Sequence, residues 1–427
     1  MAYTAPTASY LTADVPPRTA ALQRSVMWAA GASGAVVFIE PSPYELVVLT
    51  GVVLFYATGM KMRPVFLPLL FLLVVVNLGY SIGSVSLLDQ GEILNWVLTS
   101  WYMAITAIFF AMALSDDTFA RLDYLRRGLV FGAVIASAAA IAGYFNLVPG
   151  GRDLLTLYDR ARGTFKDPNV LGAYLILPAL FALQNIITQS FWKAFRSALA
   201  FGIMAIAVLL AFSRASWGQL ILTSMFMIGL MYLTSASTKE RRRIVTITIA
   251  AIALAALTIA ILLSMESVSN LFKERASFNQ SYDTGRFGRF GRHALGFQMA
   301  LELPLGIGPL QFRNYFPEDT HNSFLNAFMS GGWISGLCYP VLMFVTLLRG
   351  FRLIFVPVPW QRLYLALFSA FLGTVVEAFI IDVDHWRHFW MMVGAMWAMF
   401  AACDAYMKSA YQPILHSQRP DEQLVRQ

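Results

Sequence analysis

The sequence predicts an all-α polytopic membrane protein, and three observations carry that prediction. Only 13% of its 427 residues are charged and 58% are hydrophobic, whereas soluble domains carry about a quarter charged residues. The apolar residues fall in blocks of about twenty, the length a helix needs to cross roughly 30 Å of hydrocarbon. The blocks are continuous and lack the roughly ten-residue alternating segments of a membrane barrel. Only helices and closed barrels satisfy their own backbone in lipid, so the helical bundle remains.

About twelve transmembrane helices are expected, near residues 26–39, 45–59, 64–83, 93–113, 128–147, 169–187, 197–212, 216–234, 244–264, 322–348, 363–381 and 389–407. The first is short and rich in Gly and Ser, and the seventh is also short. Ahead of them, residues 1–25 are polar and rich in Pro, Thr and Ala. They lack the apolar core and cleavage site of a signal peptide and read as a disordered cytoplasmic tail. Residues 409–427 read as a second tail, and 265–321 as a long outer loop between the ninth and tenth spans. No internal repeat of the transporter kind is visible. The two cysteines, Cys338 and Cys403, sit inside apolar blocks, which argues against a disulfide framework and excludes a cysteine-based metal site by number.

Membrane proteins keep Lys and Arg on the cytoplasmic side. With the N-terminus cytoplasmic, nineteen of the 31 Lys and Arg residues fall on the inner side. The run Lys239-Glu-Arg-Arg-Arg243 is the strongest anchor, and both termini are expected to be cytoplasmic. The formal charge of +7 is thereby explained without nucleic acid. The outer positives concentrate in the 148–168 and 265–321 loops. They work against the orientation signal, and an anionic ligand would offset that cost; scattered surface arginines are the plainer alternative.

Five segments carry possible chemistry. Arg160-Ala-Arg162-Gly-Thr-Phe-Lys-Asp-Pro-Asn169 leads into a span, and Pro168 between Asp167 and Asn169 looks like a helix start. Free N–H groups at such a start favour phosphate, although a cap with flanking cations would look the same. Phe212-Ser-Arg214 lies between two spans with almost no loop, so Arg214 is either a snorkelling anchor or an ionisable group facing a cavity. In Thr284-Gly-Arg286-Phe-Gly-Arg289-Phe-Gly-Arg292-His293, a helix would put the arginines on roughly one face. No acid lies between Asp283 and Glu302, so that face is locally unneutralised and suits phosphate or an anionic membrane surface. Thr320-His321-Asn322-Ser323 opens the next span behind the glycine-rich turn Pro304-Leu-Gly306-Ile-Gly308. His321 is either a cap or a proton acceptor near neutral pH. Asp382-Val-Asp384-His385-Trp-Arg387-His388 reads as a salt-bridge and aromatic belt, its four ligand-type side chains being unable to converge on one ion.

These motifs, in this order, resemble the O-antigen ligase and polymerase family of bacterial inner-membrane glycosyltransferases. Arg-Gly-Thr-Phe precedes a span, Ser-Arg closes a later one, and Gly-Arg lies within the long loop. Pro-Leu-Gly-Ile-Gly and His-Asn then lead into the next span. The specific part of the resemblance covers about residues 160–340. It implies a GT-C-like bundle and transfer, on the periplasmic face, of a glycan from undecaprenyl diphosphate to a sugar hydroxyl. The acceptor is another lipid-linked glycan for a polymerase or a lipid A core for a ligase, in exopolysaccharide or lipopolysaccharide biosynthesis. The modest outer loop leans toward polymerase. Neither nucleotide sugar nor metal cofactor is implied, the anomeric carbon inverts, and other polysaccharide assembly proteins are possible partners. By motif, Arg214 and Arg286 hold the diphosphate and His321 is the base. Arg162, Arg289 and Asn322 support substrate binding. A transporter or lipid-glycan flippase is the alternative, and the spans carry little mid-membrane charge for one beyond Glu377.

Overall fold

The computed structural model describes residues 16–276, 283 and 285–417. The rest of both tails and Thr284 of the arginine motif lie outside the described residues. The chain is 77% helical, which settles the choice between bundle and barrel. In order the helices are α1 (Pro17–Ser33), α2 (Pro43–Ala57), α3 (Leu67–Gly83), α4 (Gly91–Ala113), α5 (Thr118–Tyr144) and the one-turn α6 (Gly151–Leu155). A two-stranded hairpin, β1 (Thr156–Leu157) and β2 (Arg160–Ala161), precedes α7 (Pro168–Thr188), α8 (Phe191–Leu210), α9 (Arg214–Thr234) and α10 (Thr238–Leu263). Then come α11 (Glu266–Ala276), α12 (Arg289–Glu302), α13 (Ser323–Leu353), α14 (Gln361–Glu377) and α15 (Arg387–Ser417).

Every expected span coincides with one helix. Among the described residues nine are long and apolar enough to cross a membrane. The other three expected spans fall on α1, α2 and α14, of 17, 15 and 17 residues. Helix α1 starts at Pro17, well before residue 26, because its polar residues have partners inside the bundle. Gln23 bonds Thr58 and Arg121, and Arg24 pairs with Asp117 at 2.6 Å.

Small residues let the helices approach closely, as expected where lipid supplies no hydrophobic drive between them. Helices α1 and α5 run parallel; a Cβ on Gly128 would stand 2.0 Å from the Trp28 carbonyl oxygen. Helices α3 and α13 run antiparallel, with Ser335 Oγ donating to the Val76 carbonyl at 2.7 Å. Near the start of α13 the chain kinks at Gly331 and Gly332, the latter with φ +60°. The Pro304–Gly308 turn fills the gap: Ile307 and Gly308 donate to the Met329 carbonyl, and Trp333 donates to the Pro304 carbonyl. Gly306, at φ +73°, comes so near that a Cβ would lie 2.5 Å from that Met329 oxygen.

The ion pairs sort into two ends of the bundle. One gathers Arg24 with Asp117, Arg63 with Asp116, and Arg362 with Glu240. The other gathers the starts of α7, α9, α13 and α15 and holds every candidate site residue.

Candidate active site

Three helix starts frame the site, each built from residues that cap well. Asp167 caps α7, accepting from the Asn169 N–H at 2.7 Å, with Pro168 in the first turn. Ser213 caps α9 behind Phe212, whose φ of 46° turns the chain sharply, and Arg214 is the first helical residue. Asn322 caps α13, its Oδ1 accepting from Phe324 and Leu325 N–H at 3.0 Å each. The residue ahead of it, His321, also has a φ of 46°. Left-handed backbone is unusual for a residue with a side chain and concentrates at functional sites.

The 156–161 hairpin turns through Tyr158 and Asp159, both at positive φ, and Asp159 pairs with Arg152 at 2.7 Å. This sets Arg160, which donates through Nε to the Ala211 carbonyl at 2.8 Å and through Nη2 to Asn169 Oδ1 at 2.7 Å. Arg160 thus ties the start of α7 to the α8–α9 turn. Arg162 instead donates to the Leu154 carbonyl at 3.1 and 3.3 Å.

Helix α12 confirms the helical reading of the arginine motif from Arg289 onward, but its arginines are not unneutralised. Arg214 Nη2 lies 2.6 Å from Asp283 Oδ2, and Arg289 Nε lies 3.4 Å from Asp283 Oδ1. Arg292 is buried, pairs with Glu318 at 2.6 Å and donates to the Phe287 carbonyl. His293 bonds the Thr320 carbonyl at 2.9 Å. Arg286 precedes α12 and is exposed, its guanidinium 5.7 Å from the Phe287 ring. The fold therefore joins Arg214 and Arg289 through Asp283, and links α12 to the His321 segment through Glu318 and Thr320.

Asp382, in the α14–α15 connection, holds that segment. Its carboxylate accepts from the Thr320 hydroxyl and from the N–H groups of His321 and Asn322, all at 2.9 Å. The His321 ring stands 3.9 Å from Asp382 through Nδ1 and 3.9 Å from Glu318 through Nε2. Both separations exceed hydrogen-bond range. Burial, reinforced by Arg289 and Arg292 against Glu318, lowers the His321 pKa, so the ring is neutral at neutral pH. Burial together with Asp384 and Asp319 raises that of Asp382, opposed by the hydrogen bonds from Thr320 and Asn322. Asn322 spends both polar groups on structure, its Nδ2 donating to the Phe379 carbonyl at 3.0 Å.

The 382–388 cluster divides. His385 bonds Asp384 at 3.1 Å and the Trp96 carbonyl at 3.2 Å, whereas His388 stacks on Trp386 with ring centres 5.4 Å apart. Arg387 pairs with Glu45 and with Glu40 at 3.7 Å. Among the described residues no group of three or more His, Cys, Asp and Glu is arranged to hold a metal ion. Glu377 is the last residue of α14, buried, with neither carboxyl oxygen bonded among the described residues. It therefore sits at this same end of the bundle.

Sequence reasoning gave no site role to three acids: Asp283, Glu318 and Asp382, the last read only as part of a salt-bridge and aromatic belt. The first two had a usable signal, lying one residue before the Thr-Gly-Arg motif and three residues before His321. The third joins through a partner 61 positions away.

No curated protein matches this chain. Residues 199–339 match the family model described as O-antigen ligase. The matched segment runs from α8 into α13. It contains Arg214, Arg286, Arg289, His321 and Asn322, and leaves out Arg162 and Asp382. A domain of this type indicates ligase- or polymerase-type work in glycan assembly, here in a multi-pass membrane protein. The family resemblance read from the residues is borne out as a likeness: residues 199–339 are similar to the O-antigen ligase family.

Proposed function

We propose that the protein is a metal-independent, inverting glycosyltransferase of a bacterial inner membrane. It moves a glycan from undecaprenyl diphosphate to a sugar hydroxyl on the periplasmic face during surface polysaccharide assembly. The observation that carries this reading is the meeting, at one end of the bundle, of paired arginines with a neutral histidine. The excess of Lys and Arg on the opposite side supports an outside position for that end, with both termini cytoplasmic.

The chemistry follows from the parts. The acceptor oxygen attacks the anomeric carbon while its proton passes to the imidazole of His321. The bond from that carbon to the diphosphate oxygen breaks on the opposite face, and the electron pair leaves with the diphosphate. Arg214, Arg286 and Arg289 stabilise that developing charge, work that positioned donors can do in a water-poor site. Asp283 holds Arg214 and Arg289 in place and yields to a ligand of higher charge. Asp382 and Asn322 position His321 rather than touch substrate, and Arg160 serves the α7 start better than Arg162.

The test is the glycan profile of a strain lacking the gene, complemented with wild type or with Arg286→Ala or His321→Ala. Single repeat units accumulating on the carrier identify a polymerase, and long chains stranded on it identify a ligase. If intermediates stay on the cytoplasmic leaflet and both variants complement fully, the transferase reading fails and transport replaces it.

A further inference from the structure

Asp319, two residues before His321, and Asp382, which holds the His321 backbone, also line a cavity of about 740 Å³ that the donor chemistry leaves unused. Small-molecule sites span about 300–1,000 Å³, so the hollow is of ligand size. Its walls come from the α1–α2 connection and the start of α2, from α4, the 304–321 loop and the start of α13, and from the α14–α15 connection and the start of α15.

Two independent features say what it suits. The first is an aromatic wall: Trp96, Trp386 and Tyr102 line it, and the His385 ring packs 4.2 Å from Trp96. Apolar ring faces of this kind match the C–H faces of a pyranose, while Asn95, Asn326 and Asp319 offer partners for its hydroxyls. The Tyr102 hydroxyl is buried and unbonded among the described residues.

The second feature is how the charge is distributed. The glutamates have cations: Glu40 pairs with Lys166 at 2.7 Å, Glu45 with Arg387, and Glu92 with Arg313 at 3.3 Å. Asp319, Asp382 and Asp384 have no Lys or Arg partner among the described ion pairs. Only imidazoles approach two of them, His321 near Asp382 and His385 near Asp384. The negative charge in the part of the cavity nearest His321 therefore comes from Asp319 and Asp384, because burial and those two carboxylates push the Asp382 pKa up to about 8. A sugar bearing phosphate or carboxylate would meet like charge there, an arrangement that disfavours binding.

We propose that this cavity is the acceptor site, seating the terminal sugar as an uncharged pyranose with its reactive hydroxyl toward His321, and rejecting anionic sugars. The inference rests on the transferase reading and names the substrate class of its second half.

The test uses the full-length protein in liposomes, with undecaprenyl-diphosphate-linked glycan extracted from gene-deficient cells as donor. Two synthetic lipid-linked acceptors end in a hexose or in the matching hexuronate. The hexose acceptor is expected to show kcat/KM at least about tenfold higher, from like-charge repulsion of the uronate. Trp96→Ala should raise the acceptor KM by about tenfold with a smaller change in kcat, having lost a stacking face. As a control against misfolding of that variant, Thr99→Cys, in the cavity wall, is assayed before and after reaction with a bulky maleimide. Wild type treated in the same way controls for Cys338 and Cys403. Labelling should abolish transfer while donor binding stays unchanged. Equal use of the two acceptors, or full transfer by the labelled protein, overturns the acceptor site. Wild type that binds donor yet transfers neither to these acceptors nor to a lipid A core overturns the transferase reading itself.

Discussion

The two halves of the site are made of opposite charge and meet at one residue. On the α9–α12 side, Arg214, Arg289 and Arg292 meet two acids, Asp283 and Glu318, among the described ion pairs, and Arg286 stands exposed beside them. On the α4–α15 side, three aspartates face no Lys or Arg partner among the described ion pairs, and the other acids are already paired. His321 lies between, tied by its backbone to Asp382 and influenced by Arg289. A transfer reaction needs this division: a diphosphate must be held as it gains charge, and a hydroxyl must be held where it can lose a proton. A transport path would need charge continuing between the two ends, and the buried acid Glu377 instead lies at the end that already carries the site.

The most damaging break is at the junction. His321→Ala should lower kcat for transfer about 10²–10⁴-fold, the usual contribution of a positioned general base, with donor affinity unchanged. Full kcat in that variant would remove the base assignment and leave the two halves unconnected. Arg214→Ala comes next, with an expected loss of about 10²–10³-fold, the scale set by deleting one charge-stabilising donor. Here single-turnover kinetics should show slowed cleavage of the donor itself; a defect confined to the acceptor KM would put Arg214 on the wrong side.

The third prediction sharpens the cationic half by increasing its charge. Asp283 occupies the position between Arg214 and Arg289 that an incoming diphosphate would take. Asp283→Asn should therefore tighten binding of inorganic pyrophosphate to the detergent-solubilised protein by about tenfold, measured by calorimetry, since a partly screened charge pair is worth roughly that much. Unchanged affinity would mean that these arginines are structural.

pH separates the halves in a milder way. The lowered His321 pKa keeps the ring unprotonated above its titration, so kcat/KM should be flat through neutral pH and fall only below about 6.5, the ordinary histidine value. Glu318 raises that pKa and also pairs with Arg292. Glu318→Gln removes the favourable charge and releases the unfavourable one, so the acid limb should move to still lower pH. A shift toward higher pH would contradict the electrostatics drawn for the junction.

The bundle was legible in the sequence because crossing a membrane leaves a pattern no soluble fold needs. The start of α1 was not, because Gln23 and Arg24 look like loop residues until their partners on α5 are known. The helix starts at Pro168, Arg214 and Asn322 were readable as well, since capping is local. What escaped was pairing at long range. Asp283 finds Arg214 across 69 positions, and the Asp382 carboxylate reaches the His321 segment across 61. Arg160 and Arg162 are equivalent on paper. The hairpin ends at Ala161, so the first extends toward α7 and α8 while the second folds back onto Leu154 in the turn to Gly163.

The smallest expected effect decides what Asn322 is for. Its motif position suits a substrate contact, yet Oδ1 caps α13 and Nδ2 reaches Phe379. Loss of an N-cap costs about 1 kcal/mol, within about 0.5–2, so Asn322→Ala should lower the thermal midpoint by a few degrees. Asn322→Asp keeps an acceptor for the helix start, but loses the bond to Phe379 and adds a carboxylate beside Asp382. It should retain most of the helix stability while depressing kcat, because the segment holding His321 is pulled at both ends. A positioning residue predicts this split between the two variants, together with an unchanged donor affinity. A substrate contact predicts the reverse: both variants stable, and donor or acceptor KM raised in each.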